Sequence, residues 1–139
     1  MSPPNKRKIP GSPEDWIAHA ESDLGLALLG QKHTRILPSQ ICFHAQQAAE
    51  KALKAALRSR NIDFPLTHDL QELIEILEQA GLSFPAEVAE AGSLTPYAVE
   101  TRYPGSWEEI KSVEVQRAVY LASRIVDWAK RLLEEAQKE

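Results

Sequence analysis

The stretch SQICFHAQQAAEKALKAALRSR, residues 39–60, constrains the fold more than any other part of the chain. Laid out at about 100° per residue, Ile41, Ala45, Ala48, Ala49, Ala52, Leu53 and Ala56 fall on one side, and Phe43 and Leu57 widen the apolar arc past half the circumference. A helix that apolar must be covered on several sides at once, so it belongs at the centre of a helical bundle. Its many alanines let neighbouring helices approach closely. A narrow polar stripe is left over: His44, Gln47, Lys51, Lys54 and Arg58, alternating at spacings of three and four. Two readings of the stripe stay open. The long cations snorkel to water, or the stripe borders a cleft.

The rest of the chain also reads as helix. Ser12 is an N-cap candidate, with Pro13 at the first helical position and Asp15 closing a capping box. Trp16, Ile17, Ala20, Leu24, Ala27 and Leu28 then make one apolar stripe, with His19 and Asp23 on its flank. Pro38 ends the connector KHTRILPS by disfavouring helix at Leu37. A third helix, capped by Thr67, buries Leu70, Leu73, Ile74 and Leu77 and stops at Gly81. SFPAEVAEAGSL supplies at most two turns from near Pro85. The final helix is expected from Ser106, with Ser106 and Glu109 as a second capping box. At about 45 Å it would exceed the width of the domain, so its far end is expected to protrude or to pack on a second chain. Val113, Val119, Leu121, Trp128 and Leu132 spread over more than one face, which predicts a homodimer through this helix. Strand alternation is absent. The expected fold is all-α, an antiparallel bundle of four main helices with a short extra helix.

Residues 1–12, MSPPNKRKIPGS, read as a flexible basic and proline-rich arm, and residues 13–139 as one helical domain. The arm holds three of the 16 basic residues, Lys6, Arg7 and Lys8, which leaves 13 against 20 acidic residues and a net charge of −7 on the domain. An acidic body is not a broad duplex-binding surface, so any nucleic-acid contact must be local. Cys42 is the one cysteine, which excludes an internal disulfide and a cysteine zinc cage. With no secretory signal and no run of apolar residues long enough to span a bilayer, a cytoplasmic setting without membrane contact is expected. No phosphate-cradling glycine string occurs, and His19, His33, His44 and His68 never pair at metal-ligand spacing. Neither a metal nor a cofactor is expected.

One segment interrupts the helical pattern: YAVETRYPG, Tyr97 to Gly105. Arg102 offers a planar fork suited to bidentate contact with phosphate. Tyr97 and Tyr103 could stack on a base or on the guanidinium itself. Equally, Arg102 could tie the loop to a carboxylate or to carbonyls at helix ends.

FHAQQAAEKALKAAL, THDLQEL and YAVETRYPG, in that order, resemble the HEPN domain family (higher eukaryotes and prokaryotes nucleotide-binding) over roughly Asp15 to Lys130. The resemblance implies a helical bundle that dimerises, encoded beside a minimal nucleotidyltransferase in toxin–antitoxin-like pairs. It also implies, for many members, metal-independent ribonuclease activity built on an Arg-x4–6-His motif. Arg102 falls where that arginine stands, but YPGSWEE follows it and the last histidine in the chain is His68. General acid–base cleavage would then need a substitute such as His44 or His68.

The resulting expectation is a nucleotide- or partner-binding component of a two-component system. Arg102, Tyr103 and Tyr97 would face His44, Gln47, Lys51 and Lys54 across one concave surface, with His68 as a further candidate. The alternatives are a metal-independent endoribonuclease toxin with a relocated general base, and a structural helical adaptor.

Overall fold

The computed structural model describes residues 11–98 and 110–137. Every regular element among them is helical: α1 (Pro13–Gly30), α2 (Pro38–Ser59), α3 (Leu70–Gln79), α4 (Ala86–Ala89), a 3-10 stretch (Glu90–Ala98) and α5 (Ser112–Gln137). The architecture is the expected all-α bundle, with α1, α2, α3 and α5 as its four main helices and α4 as the short one.

Helix α2 is the central element and packs most heavily on α1 and α5. Its alanines at 45, 48, 49, 52, 55 and 56 are fully buried, as are Leu53 and Leu57. Against it α1 presents a seam of small residues, with Ala20, Ala27 and Gly30 buried together with Asp23. At the end of that seam a Cβ on Gly30 would lie 2.9 Å from Ile41 Cγ1, so the glycine is what lets the two helices close.

The Ser12 capping box forms as expected: Asp15 N–H donates to Ser12 Oγ and Ser12 N–H donates to Asp15 Oδ2. Helix α3 buries the four expected residues, and Gly81 follows at φ +79°, the left-handed region glycine enters without strain. Its cap differs. Asp69, not Thr67, accepts from the Gln71 N–H, while Thr67 Oγ1 accepts from the Asp69 N–H and so shapes the turn before the cap. The Leu70 N–H donates to Thr95 Oγ1, which ties α3 to the 3-10 stretch. That stretch carries the helical path beyond the short helix expected from Pro85, up to Ala98 and through Pro96.

Helix α5 departs most from expectation. It begins at Ser112, after the non-helical Ile110 and Lys111, and its 26 residues span about 39 Å. The Lys111 N–H donates to Glu114 Oε1, which gives this start the reaching-back half of a capping box. The expected Ser106–Glu109 box lies outside the described residues. The far end does not protrude. Leu132 and Leu133 are buried, Lys130 pairs with Glu21, and Gln137 donates to Glu14 on α1. Of the five residues expected to form a second apolar strip, Val119, Leu121 and Leu132 are buried, Trp128 packs edge-on against Phe84, and Val113 is exposed. Most of the strip is consumed within the chain, because α1, α4 and the loop before α4 wrap more of α5 than one face.

Candidate functional site

Apart from Arg58, which reaches Asp63 at 4.0 Å, the polar stripe of α2 gathers around two buried carboxylates. Asp23 on α1 takes one edge. Its Oδ2 accepts from Lys51 Nζ at 2.6 Å, and its Oδ1 lies 3.0 Å from His44 Nδ1. Asp23 is 8% exposed, whereas the Lys51 and His44 side chains remain partly open at 23% and 30%. A buried carboxylate thus holds two open nitrogen-bearing side chains in fixed positions.

Glu50, on α2 itself, takes the other edge. It is 3% exposed and receives Lys54 Nζ at 3.0 Å, Gln46 Nε2 at 3.1 Å and His68 Nδ1 at 2.8 Å. Gln46, fully buried, also donates to the His68 carbonyl and accepts from Gln47 Nε2 at 2.7 Å. Each buried polar group in this network has a partner, which is what makes its burial tolerable. Lys54 does not border a cleft with Lys51, as its place in the stripe suggested. It is 5% exposed, with its ammonium against the Trp16 and Phe64 rings at 5.6 and 5.7 Å from their centroids. His68 is the open member, with 73% of its side chain accessible.

A groove of about 390 Å³ adjoins the Asp23 side, between the end of α1 and the start of α2. Leu26, Leu29, Ile36 and Leu37 form apolar walls, and all four are more than 40% exposed. Its polar lining is His33, Arg35, Gln40 and His44, with no carboxylate among them. Tyr97 lies elsewhere, in a groove of about 640 Å³ against α5, where its hydroxyl donates to Glu114 Oε2. Arg102 and Tyr103 lie outside the described residues. Among the described residues no cluster of three potential metal ligands occurs, and no helix is long and apolar enough to cross a membrane.

Asp23 and Gln46 are the functional candidates that sequence reasoning passed over, while Glu50 was legible from its i,i+4 spacing only as the partner of Lys54, a pair that forms at 3.0 Å. A signal for Asp23 was present: it stands in register with Ala20, Ala27 and Gly30, in the small-residue seam that buries α1. Gln46, Glu50 and Lys54 recur every four residues along the edge of the α2 arc.

The model of the HEPN domain matches residues 13–132 of the chain. Among solved structures, an archaeal HEPN homologue, ST0689, is 27% identical and superposes with a TM-score of 0.69 over 89% of this chain and 99% of its own. TT1696 from Thermus thermophilus is also 27% identical, with a TM-score of 0.68 over 87% of this chain and 98% of its own. None of the curated proteins matches.

Proposed function

This chain belongs to the HEPN domain family, and on that premise we propose that it serves as the nucleotide- or partner-binding component of a two-component, toxin–antitoxin-like system with a minimal nucleotidyltransferase. The observation that carries the reading is the convergence of His44 and Lys51 on Asp23 beside a groove whose polar lining holds no carboxylate. A buried acid that fixes two partly open nitrogen-bearing side chains saves much of the ordering cost a ligand would otherwise meet. Arg102, by its residue type, is the bidentate anchor for an anion, and Tyr103 its aromatic neighbour. His68, held by Glu50, is a further open polar side chain.

The protein acts as a homodimer in this reading, which scattering at micromolar concentration tests against the single-chain mass of 15.5 kDa. Co-expression with a minimal nucleotidyltransferase, followed by mass spectrometry of retained protein and nucleotide, tests the binding function. Retention that is lost in a Lys51→Ala, His44→Ala double variant supports the proposal. No retained partner and no retained nucleotide would reject it.

A second reading, the metal-independent endoribonuclease, also has an observation behind it. His44 and His68 each meet a buried carboxylate through Nδ1, the arrangement that orients an imidazole as a general base. RNA cleavage in the presence of a chelator, abolished by His44→Ala or His68→Ala, would favour it over binding alone.

A further inference from the structure

His44 meets Asp23 through one ring nitrogen only. Nδ1 lies 3.0 Å from Asp23 Oδ1, and Nε2 has no hydrogen-bond partner among the described residues. The second oxygen of Asp23 is occupied by Lys51 Nζ, so the carboxylate cannot turn away without breaking that ion pair. An ionised carboxylate only accepts, and a neutral imidazole carries its proton on one nitrogen and accepts at the other. The proton of a neutral His44 therefore belongs on Nδ1. We infer that Asp23 is a positioning residue: it locks His44 as the Nδ1–H tautomer and so presents Nε2 as a proton acceptor to the groove at the α1–α2 junction.

This inference rests on the binding role proposed for that side of α2, and it narrows what the groove takes. Leu26, Leu29 and Leu37 offer apolar walls for a flat body. Arg35 has no ion-pair partner among the described residues, and a guanidinium donates without accepting. A fitting ligand combines an apolar ring, an anion for Arg35, and an O–H or N–H that can donate to Nε2. Nucleoside monophosphates carry all three. A ligand with acceptors alone meets Nε2 lone pair to lone pair, and a mismatch of that kind weakens binding.

Nitrogen-15 long-range NMR on the full chain tests both halves, at about pH 8.5 where an ordinary histidine is neutral. The His44 signal, identified by its loss in His44→Gln, is expected as pyrrole-type at Nδ1 and pyridine-type at Nε2. Asp23→Leu, which removes the acceptor, is expected to shift His44 towards the Nε2–H form. An Nε2–H signal in the unsubstituted protein overturns the inference, whether or not Asp23→Leu folds. Adenosine monophosphate is then titrated in, and the His44 Nε2 and Arg35 Nε resonances are expected to move together. If the tautomer is as inferred but neither resonance moves, the groove is not the nucleotide site, and the ligand assignment fails while the role of Asp23 stands.

Discussion

Lys54 Nζ lies 3.0 Å from Glu50 Oε2 in an ion pair sealed from solvent, the two side chains being 6% and 4% exposed. Partners one helical turn apart usually meet on a wet surface, where the pair contributes a few tenths of a kcal/mol. Here Trp16 and Phe64, themselves packed edge-to-face at 6.0 Å, lie against the ammonium. The pair therefore acts less as a source of stability than as a constraint, because neither charge tolerates losing the other.

Lys54→Met keeps the apolar stem and removes the charge that balances Glu50. The expected cost is about 3–5 kcal/mol, the range for breaking a buried pair, read as a lower urea midpoint at unchanged slope. Adding Glu50→Gln should return at least half of that loss, since the double variant leaves no stranded carboxylate and keeps an acceptor for Gln46. A single-variant cost below about 1 kcal/mol would place the pair in the surface class.

Gly30→Ala puts a methyl group 2.9 Å from Ile41 Cγ1 and 3.2 Å from Ile36 Cγ2. Overpacking of this kind costs about 1–3 kcal/mol, part of which the better helix propensity of alanine offsets. Ile41→Ala removes the Cγ1 that the methyl group meets, so the two changes should couple favourably in a double-mutant cycle. Strict additivity would mean that the helices do not meet where the seam indicates.

Asp15 provides the pH test. The backbone N–H of Ser12, and next its hydroxyl, hold the Asp15 carboxyl below its ordinary value of 3.8, with a smaller contribution from His19; desolvation opposes them. A carboxyl lowered by folding stabilises above its unfolded pKa, and that contribution is lost as pH falls through the folded value. The stability of the protein should therefore exceed that of Asp15→Asn from about pH 5 upward, and the two curves should merge towards pH 2. Curves that stay parallel across that range would rule out the capping box as the cause.

Local signals carried most of the architecture. The Ser12–Asp15 box, the four buried residues of α3 and the stop at Gly81 depend on neighbours within a few positions, and all were legible. The angular position of the α2 stripe was legible too, but not what covers it. Lys54 is enclosed by Trp16 and Phe64, which come from opposite sides in sequence, and Asp23 reaches Lys51 across 28 residues. Helix periodicity places a residue on a face without saying which element lies over that face. The apolar spread of the last helix loses its force as a dimer argument for the same reason: much of its extra face is covered by Phe84 and by α1, not left open.

Arg102 and Lys51 decide whether one site or two bind the ligand. If both contact the same anion, Arg102→Ala should weaken binding of adenosine monophosphate by more than about 1 kcal/mol, a factor of roughly five, with an unchanged helical signal in circular dichroism. Lys51→Met should have a smaller effect, because Lys51 already spends one donor on Asp23 and only its remaining N–H groups can reach a ligand. The two changes made together separate the cases. Groups on one anion couple by about 0.5 kcal/mol or more, whereas groups at independent sites add within about 0.3–0.5 kcal/mol. Calorimetry on the four proteins of the cycle measures the difference directly. Additive losses would divide the site, leaving Lys51 with the Asp23 side of α2 and Arg102 with a surface of its own.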